Sequence, residues 1–176
     1  TIQYGTSFGY PISTMGAHVS ACPNHQTGCT TPFETRAVVA SAGTFGFELD
    51  LTRMTAEEKA QAREQIRRYR EIEPLVLCGD YYRLTGPYEK KNYIVWQFVS
   101  KDKRETAVCG VMLHGEANPH IHLIDLDGLL PQARYQDLDS GRVYSGAALM
   151  KAGLPLPIAR GDCQPILFRF KRVDGQ

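Results

Sequence analysis

The chain has 176 residues, 43% hydrophobic and 22% charged, the composition of a soluble globular protein sized between one ordinary domain and two small ones. Lys and Arg number 20 against 19 Asp and Glu, so near-zero net charge gives no electrostatic reason to expect nucleic acid or an anionic membrane as partner, and a neutral ligand fits better. No apolar run approaches the roughly 20 residues that span a bilayer, and the opening TIQYGTSFGYP lacks the basic and apolar blocks of a signal peptide.

Thr1 opens without an initiator methionine into an aromatic, apolar stretch, so the chain is expected to have been cut from something longer. Two runs in the first part have strand length and β-favouring residues, Met15 to Val19 and Thr44 to Leu49. Between them TRAVVASA, Thr35 to Ala42, predicts a short buried helix stopped by Gly43. Strand, helix, strand is the order of a βαβ unit. The run MGAHVSACPNHQTGCTTPFETR from Met15 to Arg36 is mostly loop, and its two histidines, two prolines and closing arginine mark it as serving a site.

A stronger helix follows. Thr55 caps it, Glu58 reaches back in a capping box, and Glu57 and Glu58 complement the positive end of the dipole. Arg63, Arg67, Arg68 and Arg70 are expected toward the other end, Ala62, Ile66 and Tyr69 line one face, and Pro74 is expected to stop the helix a few residues on.

Beyond Pro74 the pattern turns β-rich, with runs at Tyr93 to Val99, Ala107 to Leu113, His120 to Leu126 and Ile166 to Val173. This predicts an antiparallel sheet domain over residues 74–176, after a first part of residues 1–73. GPYEKKN, Gly86 to Asn92, and KDKRE, Lys101 to Glu105, read as hairpin turns. LFRFKRV, Leu167 to Val173, alternates as a strand with one buried and one wet face. The five cysteines (Cys22, Cys29, Cys78, Cys109 and Cys163) are odd in number and widely spaced, which argues for reduced thiols and places the protein in the cytoplasm.

Several residues have the chemistry of a site. His18, Cys22, His25 and Cys29 contain metal-ligand types, but their spacing is not that of a zinc ribbon, and turn-stabilising polar groups are the plainer reading. His120 and His122, an H-x-H on an expected strand, would share a face, with His114 on the strand before; such a triad can bind metal, but with no fourth ligand at close spacing a solvated sheet face is the default there. Glu48 and Asp50, two apart, would leave one face of a strand, although a retaining glycosidase usually draws its carboxyl pair from different strands. Cys22 and Cys29 lack any activated-thiol signature.

Consecutive segments resemble the landmarks of retaining α-galactosidases of glycoside hydrolase family thirty-six. They are IQYGTS, the loop MGAHVSACPNHQTG with TTPFETR, GTFGFELDL, GDYYRL, WQFVSKD, YSGAALMKAGLPLP and GDCQPILFRFKR, which together cover essentially the whole chain. The resemblance implies α/β plus all-β architecture: the last strands and helices of a (β/α)₈ barrel followed by a C-terminal antiparallel β-sandwich. It implies hydrolysis of terminal α-linked galactose from oligosaccharides such as melibiose and raffinose, without metal or organic cofactor. The family's catalytic aspartates lie in K-W-D and S-D-x-T-D motifs; neither occurs in this sequence, so no catalytic residue is expected in this chain and the chain alone is expected to be inactive.

What carries over is the loop, where His18, Asn24, His25 and Gln26 match the motif. The resemblance implies that His18 shapes the pocket floor while Asn24, His25 and Arg36 hold the loop. Where the family usually has arginine this chain has Cys29, so five donors become one weak one. The competing reading is a non-catalytic carbohydrate-binding or subunit-interface module using Tyr81, Tyr82, Tyr88, Tyr93 and Trp96, against which stands ordinary core packing of aromatics. Part of a barrel exposes strand edges, so residues 1 to 54 are expected to be partly reorganised or covered by a second copy, as a homo-oligomer.

Overall fold

The computed structural model describes residues 2–86, 89, 91–158 and 160–173. A short helix α1 (Ile2–Thr6) leads to β1 (Gly16–Ser20), α2 (Phe33–Ala40) and β2 (Thr44–Glu48). β1 and β2 pair in parallel, Ala17 beside Phe45 and Val19 beside Phe47, with α2 as the crossover. The expected βαβ unit is therefore present. Ala17 and Val19 are buried against Ala37 and Ala40 of α2, so alternation sends Gly16, His18 and Ser20 to the opposite face. Gly43 follows α2 too closely to the strand for any side chain: a Cβ there would lie 2.6 Å from the Met15 carbonyl oxygen.

The helix α3 (Ala56–Cys78) begins as its sequence demands. Thr55 Oγ1 accepts from the Glu58 amide at 3.1 Å, and Glu58 accepts from the Thr55 amide at 2.9 Å, completing the capping box. Its end differs from expectation, because the helix passes through Pro74 and closes only where the Gly79 amide donates to the Leu75 carbonyl. Proline removes one hydrogen bond here, but burial of Ile72, Leu75 and Val76 against the sheet holds the last turn in place. The longer helix also puts the arginines in its middle instead of at its negative end. There Arg67 bridges Glu64 and Glu71, and Arg68 bridges Glu64 and Glu34.

The remainder forms a six-stranded antiparallel sheet from β3 (Asp80–Arg83), β4 (Tyr93–Val99), β5 (Glu105–Met112), β7 (Arg134–Asp137), β8 (Val143–Ser145) and β10 (Gln164–Val173). Their order is β3-β4-β5-β10-β7-β8. A helix α4 (Gly146–Lys151) and a two-stranded ribbon, β6 (Leu123–Ile124) with β9 (Leu154–Pro155), cover part of it. The β3–β4 pair flanks the expected hairpin at Gly86 to Asn92, of which Pro87, Tyr88 and Lys90 lie outside the described residues. The expected turn at Lys101 to Glu105 joins β4 to β5, and Lys101 and Lys103 both reach Asp80.

The sheet is buried on both faces, which explains why β4 reads YIVWQFV instead of alternating. Tyr93, Val95 and Val99 enter one core with Val108, Leu149, Leu154 and Ile166. Trp96 and Phe98 enter the other, with Ala107, Cys109, Tyr69, Ile72, Leu75, Ile12 and Met15. Gln97, fully buried, is satisfied: its amide donates to Thr106 Oγ1 at 2.9 Å and to the Asp127 carbonyl at 3.1 Å, and it accepts from the Asp127 amide. The wet face expected of β10 is closed at Arg169, which lies under α3 and bridges Glu71 and Asp139. Among the described residues no helix is long and apolar enough to cross a membrane.

Candidate functional site

The loop of residues 21–32 leaves the C-terminal end of β1 and returns to α2. It folds around Asn24, whose Oδ1 accepts from the amides of Gln26 and Thr27, both at 3.0 Å, and from the Thr27 hydroxyl at 3.1 Å. The backbone closes on the same residue: Asn24 N–H donates to the Cys29 carbonyl and Gly28 N–H donates to that of Asn24. Arg36 ties the loop to its strand, donating through Nε to the Thr31 carbonyl at 3.2 Å and through a terminal nitrogen to the Ser20 carbonyl, with its guanidinium over the Phe33 ring. His25 and Gln26 stand exposed at the loop tip, and Cys29 is exposed as well.

His18 lies on the bare face of the parallel pair, opposite Gly46 in register, with Ser20 opposite Glu48. Its imidazole lies across the neighbouring strand, and a Cβ at residue 46 would sit 2.9 Å from His18 Cδ2. Glycine at 46 is what lets the ring take this position. The result is an open surface of one imidazole and one carboxylate beside an arginine-anchored loop. Glu48 and Asp50 do not act as a couple, because β2 ends at Glu48 and Asp50 instead caps the next turn, accepting from the Thr52 amide at 2.9 Å and hydroxyl at 2.6 Å. The Thr52 hydroxyl holds the Asp50 carboxyl below the usual carboxylate range.

The histidines expected on a sheet face lie elsewhere. β5 ends at Met112 and β6 spans only Leu123–Ile124, so His114, His120 and His122 all fall in the connecting loop, whose Asn-Pro step breaks any strand. His114 faces Asp162, its Nδ1 3.8 Å from the carboxylate. The other two meet Glu116, with the three potential ligand atoms within 4.8 Å of one another. The Asn92 amide beside Glu116 holds that carboxyl below its ordinary value, with lesser help from His122 and His120. Sequence reasoning misses Glu116, whose only signal is the E-x-x-x-H-x-H spacing to the two histidines.

The five cysteines are free. Burial pushes the Cys109 thiol up to about 12, which makes it an inert core residue. Tyr93 and Trp96 are buried, Tyr82 packs against the core that holds Tyr93, and Tyr81, pushed up to about 12 by burial, packs on Phe98, so these aromatics contribute to cores. Tyr88 lies outside the described residues.

Comparison with known proteins now places the chain. The family described as Melibiase matches residues 1–79, and the Glycosyl hydrolase family 36 C-terminal domain matches residues 93–170. The chain belongs to glycosyl hydrolase family 36. It is 50% identical over 172 residues to the bifunctional alpha-galactosidase/sucrose kinase AgaSK of Mediterraneibacter gnavus, covering 98% of this chain and 18% of that one. Against alpha-galactosidase AgaA of Geobacillus stearothermophilus the identity is 43%, covering 98% and 23%. The chain thus spans about a fifth of the length of these curated relatives.

Among solved structures, the galactosidase domain of AgaSK superposes with a TM-score of 0.93 at 49% identity, covering 98% of this chain and 24% of that one. A variant of AgaA in complex with raffinose gives 0.93 at 42% over the same shares.

Proposed function

We propose that this chain is the C-terminal portion of a retaining α-galactosidase, comprising the last strands and helices of a (β/α)₈ barrel and a C-terminal antiparallel β-sandwich. The carrying observation is the half-covered parallel pair β1–β2: one face packs on α2, and the other, bearing His18 and Glu48, is bare. Parallel sheets are stable when both faces are covered, so this pair belongs to a larger parallel assembly. In a barrel, the loop at residues 21–32 would open on the C-terminal face where active sites lie.

On this reading the chain supplies pocket wall and not the two catalytic carboxyls, and the substrate is a terminal α-galactoside. Relatives solved with raffinose and stachyose support that substrate class. His18 shapes the pocket floor, and Asn24, His25, Gln26 and Arg36 set the loop above it. The division between the two parts, expected near residue 74, is better drawn at Gly79, which keeps α3 whole. Free thiols support a cytoplasmic setting, and exposed Phe8 and Tyr10 support assembly into an oligomer.

The test is hydrolysis of p-nitrophenyl α-galactoside by the full-length protein and its His18→Ala variant. The full protein should turn over and the variant should lose roughly tenfold or more in kcat/KM, about 1.4 kcal/mol of transition-state stabilisation. Unchanged kcat and KM would remove His18 from the site, and no hydrolysis by the full protein would remove the activity.

A further inference from the structure

We propose that Glu116, His120 and His122 form a binding site for one divalent transition-metal ion of the zinc type, built within the loop that joins β5 to β6. Two imidazoles and a carboxylate are a ligand set that zinc accepts, leaving a fourth position for water. The donor atoms already converge. His122 Nε2 lies 3.6 Å from Glu116 Oε1, and His120 Nδ1 lies 3.7 Å from Glu116 Oε2. Ligands bound tetrahedrally at about 2.0–2.1 Å stand about 3.3 Å apart, so a small turn of the exposed His120 ring completes the set.

A second observation is independent of that convergence. His122 Nε2 is buried and has no hydrogen-bond partner among the described residues. At 3.6 Å it is too far from the Glu116 carboxylate for a hydrogen bond, yet it is turned toward it. A buried nitrogen in this position is costly unless its lone pair or proton finds a partner, and an ion between it and the carboxylate supplies one.

The surroundings fix the ligands as metal sites require. Asn92 Nδ2 donates to Glu116 Oε1 at 3.0 Å and to the His114 carbonyl at 2.8 Å, while its Oδ1 accepts from the His114 amide at 2.9 Å. The carboxylate is thus oriented by a side chain that is itself held at two points by the His114 backbone. The His122 ring packs against Tyr93 at 5.0 Å between centroids, which fixes its plane, and against His120 at 4.2 Å. A plain histidine–carboxylate ion pair explains the attraction to Glu116 but leaves the buried nitrogen beyond bonding distance.

The experiment is calorimetric titration of Zn²⁺ into untagged, chelator-stripped full-length protein near neutral pH, repeated with His122→Ala, Glu116→Gln and His114→Ala, each checked for native circular dichroism. Binding of one equivalent is expected, weakened roughly tenfold or more in His122→Ala and Glu116→Gln and unchanged in His114→Ala. Co²⁺ in place of Zn²⁺ should give a ligand-field absorption that the first two variants lose. No binding, equal binding in all variants, or loss in His114→Ala alone would overturn the site. Either result leaves the α-galactosidase reading untouched, since that reading is judged by hydrolysis.

Discussion

At residue 46 a single added methyl group decides where His18 can lie. A Cβ there would come within 2.9 Å of the imidazole, so Gly46→Val should push the ring off the bare face while suiting the strand's backbone. In the full-length protein this variant is expected to lower kcat/KM by roughly tenfold, matching His18→Ala, with melting temperature little changed. Wild-type kinetics from Gly46→Val would show that the position of the ring is immaterial. The richness of the Met15 to Arg36 loop marks it as serving a site, but His18, Asn24 and Arg36 stand out within it only through the resemblance to a family motif. Glu116 could not, because its meeting with His120 and His122 depends on how one loop turns back on itself, which no strand or helix period encodes.

The helix α3 behaves as a element whose start is written locally and whose end is written elsewhere. Thr55 and Glu58 specify the first turn through bonds three residues apart, so the capping box was legible. Pro74 was misleading, because contacts of Leu75 and Val76 with the sheet, remote in sequence, outweigh one lost backbone bond. Along the middle of the helix, hydrogen bonds from Arg67 and then Arg68 lower the Glu64 carboxyl from 4.5 to about 2.

A depressed carboxyl value stabilises the folded state above its unfolded value, and that contribution fades as pH falls toward the folded one. Glu64→Gln should therefore melt below wild type at neutral pH, with the gap closing between about pH 4.5 and about pH 2. The group is solvent-exposed, so the gap should be modest and should shrink in high salt. A gap that persists unchanged at pH 2 would deny the link. The same lesson of locality holds for the β runs: β4 was found from composition alone, whereas His120 to Leu126 shrank to the two-residue β6, because the neighbouring ribbon pairs only Leu123 and Ile124.

For the molecule as a whole, the core that contains Phe98 joins residues from both matched family segments: Ile12, Met15, Val38 and Tyr69 on one side, Trp96, Ala107 and Cys109 on the other. Phe98 is fully buried there, and Phe98→Ala should cost about 3–5 kcal/mol. Because the core is shared, urea unfolding followed by two probes, one in each segment, should shift together; a shift confined to the sheet would show that the segments are independent. Composition and turn signals located the change from helix-bearing to sheet-rich sequence, but not this joint packing, which comes from long-range contacts.

Further bonds cross the same seam. Arg83 of β3 donates to Ser7 Oγ at 2.8 Å and to the Ser7 carbonyl, and stacks over Phe8, while the Tyr4 hydroxyl donates to the Thr85 carbonyl. Thr35 Oγ1 of α2 donates to the Cys163 carbonyl at 2.6 Å. A chimera that splices the part of one relative that matches residues 1–79 onto another's C-terminal domain would therefore inherit mismatched halves of a single interior. Grafts cut at Gly79 need the facing side chains of β4 and β5 exchanged together with α3, or the hybrid will lose cohesion at the graft before it loses any individual strand.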